Sequence, residues 1–151
     1  MKICFAASSG GHFEQLMMLK NIMQVNESFI LTEKTNYSSD SDQIKTYYVT
    51  QINRKEILLL PKIFINFIKV FYIFVKEKPE VFISTGALSV IPLMLIMKLF
   101  KRKVIFIESF SKIETPTLTG KLAYKISDIF VVQWEEMLKV YPKAVYGGSI
   151  Y

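Results

Sequence analysis

The amino-acid sequence predicts an α/β fold in which helices cover both faces of a parallel β-sheet. Short apolar segments alternate with longer helical segments along most of the chain. The apolar segments are hydrophobic at consecutive positions, which is typical of strands that are buried on both sides. A glycine-rich turn joins the first of these segments to the first helix. We therefore expect one parallel sheet with helices on both faces.

The first half of the chain contains two predicted strands, a third candidate strand and one helix. Residues 2–7 are an apolar run and form the first strand, and residues 13–19, after the turn, form the first helix. Residues 28–32 are the second apolar run and the second strand. Residues 33–45 are rich in Ser, Asp and Asn and are predicted as a loop, whereas residues 47–49 are a short candidate strand.

The second half continues the alternation of helices and strands. A long helix is predicted at residues 58–76, with Pro61 near its start and Pro79 just beyond its end. Three further apolar runs are predicted strands, and two helices separate them. These strands are residues 81–84, 104–108 and 129–132, and the helices are residues 88–100 and 119–126.

Size, composition and charge indicate one domain, residues 1–151, that contacts an anionic and apolar surface. A chain of 151 residues can bury one sizeable core but not two. It is 51% hydrophobic and carries a net charge of +6. Because Cys4 is the only cysteine, we expect no internal disulfide and a reducing cytoplasm. The first residues lack the features of a secretory signal, and the apolar stretches 57–75 and 88–100 are too interrupted or too short to span a membrane.

Polar or glycine-rich segments follow four of the predicted strands. In parallel α/β sheets, ligands bind outside the carboxyl ends of the strands, so these segments are expected on one common rim. They are residues 8–12, the turn at 84–86, and residues 108–110 and 133–136. Their coincidence on one edge predicts a binding site there.

The first of these segments resembles an anion-binding turn. Gly10 and Gly11 would let the backbone approach a phosphate, and the following helix would point its free N–H groups towards it. His12, the only histidine, is the first candidate for acid–base chemistry near neutral pH. The same residues are also compatible with a purely structural tight turn and with a histidine that only caps the helix.

The helix predicted at residues 58–76 has the composition of a membrane-contacting helix. Lys62, Lys69 and Lys76 recur every seven residues and lie along one stripe. The residues between them are more apolar than one sheet face can bury, so part of the helix should face lipid or a partner, and lipid is the preferred interpretation. The predicted contact residues are Lys62, Phe64, Phe67, Lys69, Phe71 and Phe74. The alternative is a fully buried helix with a solvated lysine stripe.

Several sequence blocks resemble the PssD/EpsE family of bacterial exopolysaccharide and capsule proteins. The blocks are residues 8–12, 84–87, 106–110 and 116–121 and, most specifically, 132–135 with 141–148. This family is related to the membrane-anchoring subunit of the split N-acetylglucosaminyltransferase of dolichol-linked glycan assembly. More distantly, the chain is similar to the N-terminal half of MurG-like enzymes. The resemblance implies a Rossmann-like sheet equivalent to the N-terminal, acceptor half of a GT-B glycosyltransferase.

The resemblance also implies a function shared between two chains. This chain would bind an undecaprenyl-diphosphate-linked sugar at the cytoplasmic face of the plasma membrane, as a peripheral or monotopic protein. A PssE/EpsF-type partner would bind the nucleotide-sugar donor, and this chain alone would have little or no activity. The alternative is a non-catalytic scaffold that recruits and activates the catalytic partner at the membrane.

Two other classes of function are disfavoured by the residues themselves. The turn is Ser-Ser-Gly-Gly-His rather than the G-x-G-x-x-G of dinucleotide-binding proteins. Nucleic-acid binding is disfavoured because the lysines alternate with aliphatic rather than polar residues. No cofactor or metal is predicted, since one histidine and one cysteine do not form a zinc site, and Asp40 and Asp42 are expected to be solvated.

The chemistry of sugar transfer suggests roles for individual residues on the rim. His12 is the predicted base, although it would only bind acceptor phosphate if the base lies in the partner chain. Glu108 is either an alternative base, the residue that orients His12, or a salt-bridge partner of a lysine. The predicted acceptor- and phosphate-binding residues are Ser9, Gly10, Gly11, Thr85 and Gly86. The predicted contacts with the partner subunit are Gln133, Trp134, Glu135, Gly147 and Gly148.

Overall fold

A computed structural model of the protein describes residues 1–35, 43–52, 59–86 and 88–151. These residues form a seven-stranded sheet of order β3-β2-β1-β4-β5-β6-β7, in which every neighbouring pair is parallel. The strands are β1 (Lys2–Ala7), β2 (Glu27–Lys34), β3 (Thr46–Thr50), β4 (Val81–Gly86), β5 (Lys103–Ile107), β6 (Ile129–Val132) and β7 (Val145–Tyr146). The predicted fold class is therefore confirmed.

Helices pack on both faces of the sheet. They are α1 (Gly11–Met17), α2 (Lys20–Gln24), α3 (Leu59–Glu77), α4 (Ile91–Leu99) and α5 (Leu118–Ile126), with 3₁₀ turns at Leu88–Val90 and Glu135–Lys139. Side chains on one side of β1, such as Phe5, pack in a core with Leu16 of α1. Side chains on the other side, such as Cys4, pack in a second core with Val70 of α3 and Leu93 of α4. Burial on both sides explains why the strands are apolar at consecutive positions.

The structure differs from the sequence prediction at several element boundaries. The predicted helix 13–19 corresponds to α1, which begins at Gly11 and ends at Met17, and β7 and α2 were not predicted. The second strand extends through Lys34 into the segment predicted as a loop, because its backbone pairs with β3 as far as Lys34 opposite Thr50. Strand pairing thus outweighs local composition there. The rest of that loop at residues 36–42, including Asp40 and Asp42, lies outside the described residues, as do Leu58 and Ala87.

The strand order creates a crevice between β1 and β4. The chain leaves β1 for α1 on one face of the sheet, whereas it leaves β4 for α4 on the other face. Adjacent strands whose connections run to opposite faces leave a crevice at their carboxyl ends, where ligands bind in this class of fold. His12 lies shortly after β1 and Gly86 is the last residue of β4, so the fold brings the two glycine-containing segments together.

A buried carboxylate is paired with lysines at the opposite end of the sheet. Glu77, the last residue of α3, accepts hydrogen bonds from the ammonium groups of Lys2, at 2.7 Å, and Lys45, at 2.6 Å, and from the hydroxyl group of Tyr47. Burial alone would raise the pKa of Glu77, but these three hydrogen bonds outweigh it and lower the pKa to about 2. The cluster connects the N-terminus, β3 and α3.

We expect Glu77→Gln to destabilise the protein at neutral pH by about 2 kcal/mol. The folded-state pKa of Glu77 lies below its ordinary value of 4.5, so its stabilisation is complete above pH 4.5 and is lost as the pH falls towards 2. The variant should therefore lose less stability than the wild type over this range. Urea unfolding at several pH values measures the difference, with the exposed Glu114→Gln as control. Identical pH dependence in wild type and Glu77→Gln would contradict this role.

Candidate functional site

A cleft of about 310 Å³ lies at the carboxyl ends of strands β1 to β4. Its lining is rich in hydrogen-bonding side chains, namely Ser8, Ser9, Thr117, Thr119, His12 and Glu33. None of its described lining residues is a lysine or an arginine. A pocket of hydroxyl, imidazole and carboxylate groups suits a ligand with many hydroxyl groups.

The His12 ring is held in one orientation by the last residues of β4. Its Nδ1 atom is 2.8 Å from the carbonyl oxygen of Thr85, and the Thr85 hydroxyl donates to the His12 carbonyl oxygen at 2.7 Å. Since a carbonyl only accepts hydrogen bonds, the neutral ring carries its proton on Nδ1 and leaves Nε2 as an acceptor. This is the tautomer that a general base needs.

Gly86 makes this arrangement sterically possible. Its φ of 122° lies in a region that side chains disfavour, and a Cβ atom there would lie 3.0 Å from Cε1 of the His12 ring. Gly86 also lines the cleft. The structure therefore brings the three predicted residues His12, Thr85 and Gly86 together. His12 and Gly86 line the cleft, whereas Thr85 does not line it and contacts His12 instead.

The turn between β1 and α1 contains three further predicted binding residues, of which only one lines the cleft. Ser9 lines the cleft, but Gly10 and Gly11 are exposed and do not line it. Gly10 has a φ of 77° and precedes α1, which has only seven residues. Phosphate binding by these two glycines stays a prediction.

Glu108 does not orient His12, contrary to one of the sequence expectations. Its carboxylate is 2% exposed and accepts hydrogen bonds from the Ser109 backbone N–H, the Thr117 hydroxyl and the Tyr141 hydroxyl, at 2.9, 3.0 and 3.0 Å. Burial and the Glu108 charge raise the pKa of Tyr141, which keeps that hydroxyl a donor. Among the described residues, no lysine pairs with Glu108 either. Its contacts instead position Thr117, which lines the cleft and caps α5.

Glu33 is a cleft residue that the sequence interpretation did not include. It lies near the end of β2, is 5% exposed, and accepts a long hydrogen bond of 3.5 Å from the Ile52 backbone N–H. The available signal was an acidic residue directly after the apolar run 28–32. Glu33 was not placed on the rim because its segment was predicted as a loop.

One predicted partner contact is buried within the chain. The Gln133 side chain donates to the Glu108 carbonyl oxygen at 2.9 Å and accepts from the Ile150 backbone N–H at 3.0 Å. It therefore ties the C-terminal segment to the sheet instead of facing a partner, which corrects the prediction. Trp134 is half-buried and donates to the Phe110 carbonyl oxygen.

The other predicted partner contacts remain on the surface. Glu135 and Gly147 are exposed, and Gly148 is partly exposed with a φ of 71°. They lie near the carboxyl end of β6 and beyond β7, at the end of the sheet that holds the cleft. Their contact with a partner stays a prediction.

Helix α3 presents an apolar face to the surface. We define the α3 apolar face as Leu60, Phe64, Phe67, Ile68, Phe71 and Tyr72, all of which are exposed, Phe64 at 65%. Phe74 was predicted to contact the membrane, but it is only 6% exposed and packs against the Phe100 ring at a centroid distance of 4.8 Å. Phe74 lies on the core side because residues three or four positions apart share one face of a helix, and Val70, four positions before it, is buried. The alternative of a fully buried helix is wrong.

Within the described ranges, no helix combines the length and the apolar character needed to cross a bilayer.

Solved structures share this fold. The chain matches Acinetobacter baumannii MurG with a TM-score of 0.73 and 14% identity, over 89% of this chain and 42% of that one. It matches the Staphylococcus aureus MnaA–UDP co-structure with a TM-score of 0.74 and 11% identity, over 99% of this chain and 44% of that one. The chain spans less than half the length of these structures. The Rossmann-like fold predicted from the sequence, equivalent to the N-terminal half of a GT-B enzyme, is confirmed.

The sequence of the chain is similar to one family of proteins. Residues 3–150 match the family model described as "Oligosaccharide biosynthesis protein Alg14 like". The chain is 24% identical to the UDP-N-acetylglucosamine transferase subunit ALG14 of Mus musculus, over 99% of this chain and 83% of that protein. It is 26% identical to the subunit of the same name from Candida albicans, over 94% of this chain and 74% of that protein.

Proposed function

This chain belongs to the Alg14-like family of oligosaccharide biosynthesis proteins, and we propose that it is the acceptor-binding, membrane-associating subunit of a two-chain glycosyltransferase. Curated relatives are named as transferase subunits, which supports a role that needs a second chain. Following the PssD/EpsE resemblance, the acceptor is an undecaprenyl-diphosphate-linked saccharide of exopolysaccharide or capsule synthesis. A PssE/EpsF-type partner binds the nucleotide-sugar.

The oriented His12 ring in a hydroxyl-rich cleft is the observation that carries this proposal. The acceptor saccharide binds in the cleft with one hydroxyl group at Nε2 of His12. That nitrogen takes the hydroxyl proton as the oxygen attacks the anomeric carbon of the donor sugar. The bond from the anomeric carbon to the nucleoside diphosphate breaks, and the leaving group departs with its electron pair on the partner subunit.

The α3 apolar face supports membrane association. Eight large apolar side chains of α3 are exposed, six of them on the α3 apolar face, and the chain carries a net charge of +6. Apolar side chains beside lysines favour the surface of a bilayer with anionic lipids. We propose that this face lies on the cytoplasmic leaflet, next to the lipid-linked acceptor.

Co-expression with a PssE/EpsF-type glycosyltransferase tests the proposed function. Membranes that contain both chains should transfer sugar from a nucleotide-sugar to an undecaprenyl-diphosphate-linked acceptor, and the two chains should purify together. This chain alone should transfer little or none. Sugar transfer by the single purified chain, or tight binding of a nucleotide-sugar to it in solution, would contradict the proposal.

A double substitution tests the membrane surface. We expect Phe67→Ser with Phe71→Ser to weaken binding to vesicles at least about tenfold, because both rings would leave the apolar layer of the bilayer. Vesicle co-sedimentation measures this binding. Met18→Ser with Val25→Ser removes exposed apolar side chains near α1 and α2, on the other face of the sheet. An equal loss in this control pair would show that binding does not use the α3 apolar face.

A further inference from the structure

A second concave region, of about 370 Å³, lies beside the cleft, between the edge of the sheet and α3. Three lysines line it, Lys34 at the end of β2 and Lys62 and Lys69 on α3. None of its described lining residues is acidic. We call this region the lysine groove.

Buried polar contacts fix the shape of the lysine groove. Asn66 is fully buried on α3, where it accepts from the Thr50 backbone N–H at 2.9 Å and donates to the Thr50 carbonyl oxygen at 2.7 Å. These two bonds hold α3 against the edge strand β3. The Lys69 ammonium group is 3.4 Å from the Thr50 hydroxyl, and Lys34 is the strand partner of Thr50. Both lysines therefore border the groove next to Thr50.

The lysine groove continues into the cleft on one side. Gln51 lines both regions, so a ligand that occupies the cleft can extend past Gln51 into the groove. On its other side the groove is bounded by α3, which carries the α3 apolar face. A hydroxyl-rich cleft, a basic groove and an apolar surface thus follow one another.

We propose that the lysine groove binds the diphosphate of the lipid-linked acceptor, with its saccharide in the cleft and its polyprenyl chain on the α3 apolar face. This inference rests on the proposed function. Ammonium groups bind phosphate oxygens through charge-assisted hydrogen bonds. The cleft itself has the buried carboxylate of Glu33 and no described lysine or arginine, so a diphosphate is less favourable there. The groove, not Gly10 and Gly11, is then the phosphate site.

Three single lysine variants of the full two-chain complex test this site. Lys34→Gln and Lys69→Gln each remove a charge from the groove. Lys76→Gln is the matched control, because it removes the same charge from the last turn of the same helix, where the ammonium group lies over the rings of Tyr47 and Tyr72. Binding is measured to neutral phosphatidylcholine nanodiscs, alone, with undecaprenyl diphosphate that carries no sugar, or with phosphatidylglycerol.

Undecaprenyl diphosphate in the nanodisc should increase the affinity of the wild type and of Lys76→Gln for the nanodisc. This increase in affinity should be about tenfold smaller in Lys34→Gln and Lys69→Gln. Phosphatidylglycerol should strengthen binding of all three variants to a similar extent. The proposal is overturned if the wild type gains nothing from the diphosphate lipid, or if Lys76→Gln loses as much as Lys69→Gln. It is also overturned if the groove variants lose equally on phosphatidylglycerol, since ordinary headgroups would then explain the site.

These outcomes are separate from those of the proposed function. The nanodisc measurement needs no sugar transfer, so a wild-type complex that transfers sugar while the groove variants bind normally contradicts only the groove. A complex that transfers no sugar to the saccharide-bearing lipid contradicts the proposed function.

Discussion

Replacement of His12 by alanine should lower the kcat of sugar transfer by the two-chain complex about a hundredfold to ten-thousandfold. The substitution removes the one imidazole in the chain, whose Nε2 atom is left as an acceptor by the Nδ1 contact with the Thr85 carbonyl oxygen. Without it, the acceptor hydroxyl must lose its proton to water. Steady-state kinetics with the saccharide-bearing lipid separates this loss of kcat from any change in KM.

The His12 experiment also decides between catalysis and scaffolding. Glu14→Ala, an exposed position two residues further along α1, is the control and should keep the wild-type rate. Co-purification with the partner and circular dichroism verify that both variants fold and assemble. A His12→Ala complex that forms normally and transfers sugar at an unchanged rate would exclude His12 as the base. It would favour the alternative of a non-catalytic scaffold.

Replacement of Gly120 by alanine should destabilise the protein by about 3 kcal/mol or more. A Cβ atom at Gly120 would lie 1.8 Å from Oε2 of Glu108 and 2.8 Å from the Thr117 hydroxyl oxygen. The buried carboxylate must then move and lose its hydrogen bonds with Thr117 and Tyr141. Loss of these bonds would leave buried polar groups without partners, which is the costly part of the change.

Thermal and urea unfolding measure the effect of Gly120→Ala, which should lower the Tm by about 10 °C. Gly11→Ala is the matched control, because Gly11 is also in a helix but a Cβ atom there would meet nothing within 4 Å. The control should retain wild-type stability. If both alanine variants unfold at the wild-type temperature, the Glu108 contacts do not stabilise this part of the fold.

The candidate site could be predicted only in part. His12, Thr85 and Gly86 were predicted together, since each follows an apolar strand and parallel strands end on the same rim. Glu108 was placed on that rim correctly, but its carboxylate turns towards Tyr141, a residue 33 positions away in the sequence. Gln133 is buried with hydrogen bonds to Glu108 and Ile150, which are 25 and 17 positions away in the sequence. Neither orientation depends on local sequence.

Local sequence determined the type of most elements and the class of the fold. In a strand, consecutive apolar residues can all be buried only when both faces of the sheet are covered, and this requirement acts within a few residues. The same local chemistry indicated that α3 is too apolar for a helix that packs on one sheet face alone.

Tertiary structure decided which elements became neighbours. The order β3-β2-β1-β4 puts Glu33 and Gln51 beside His12, and it forms the lysine groove between Lys34 and α3. It also buries Phe74 while Phe71 stays exposed. Such contacts depend on strand pairing and helix packing between segments that are distant in the sequence. The free energy of these contacts depends on the whole fold, so no single segment of the sequence determines them.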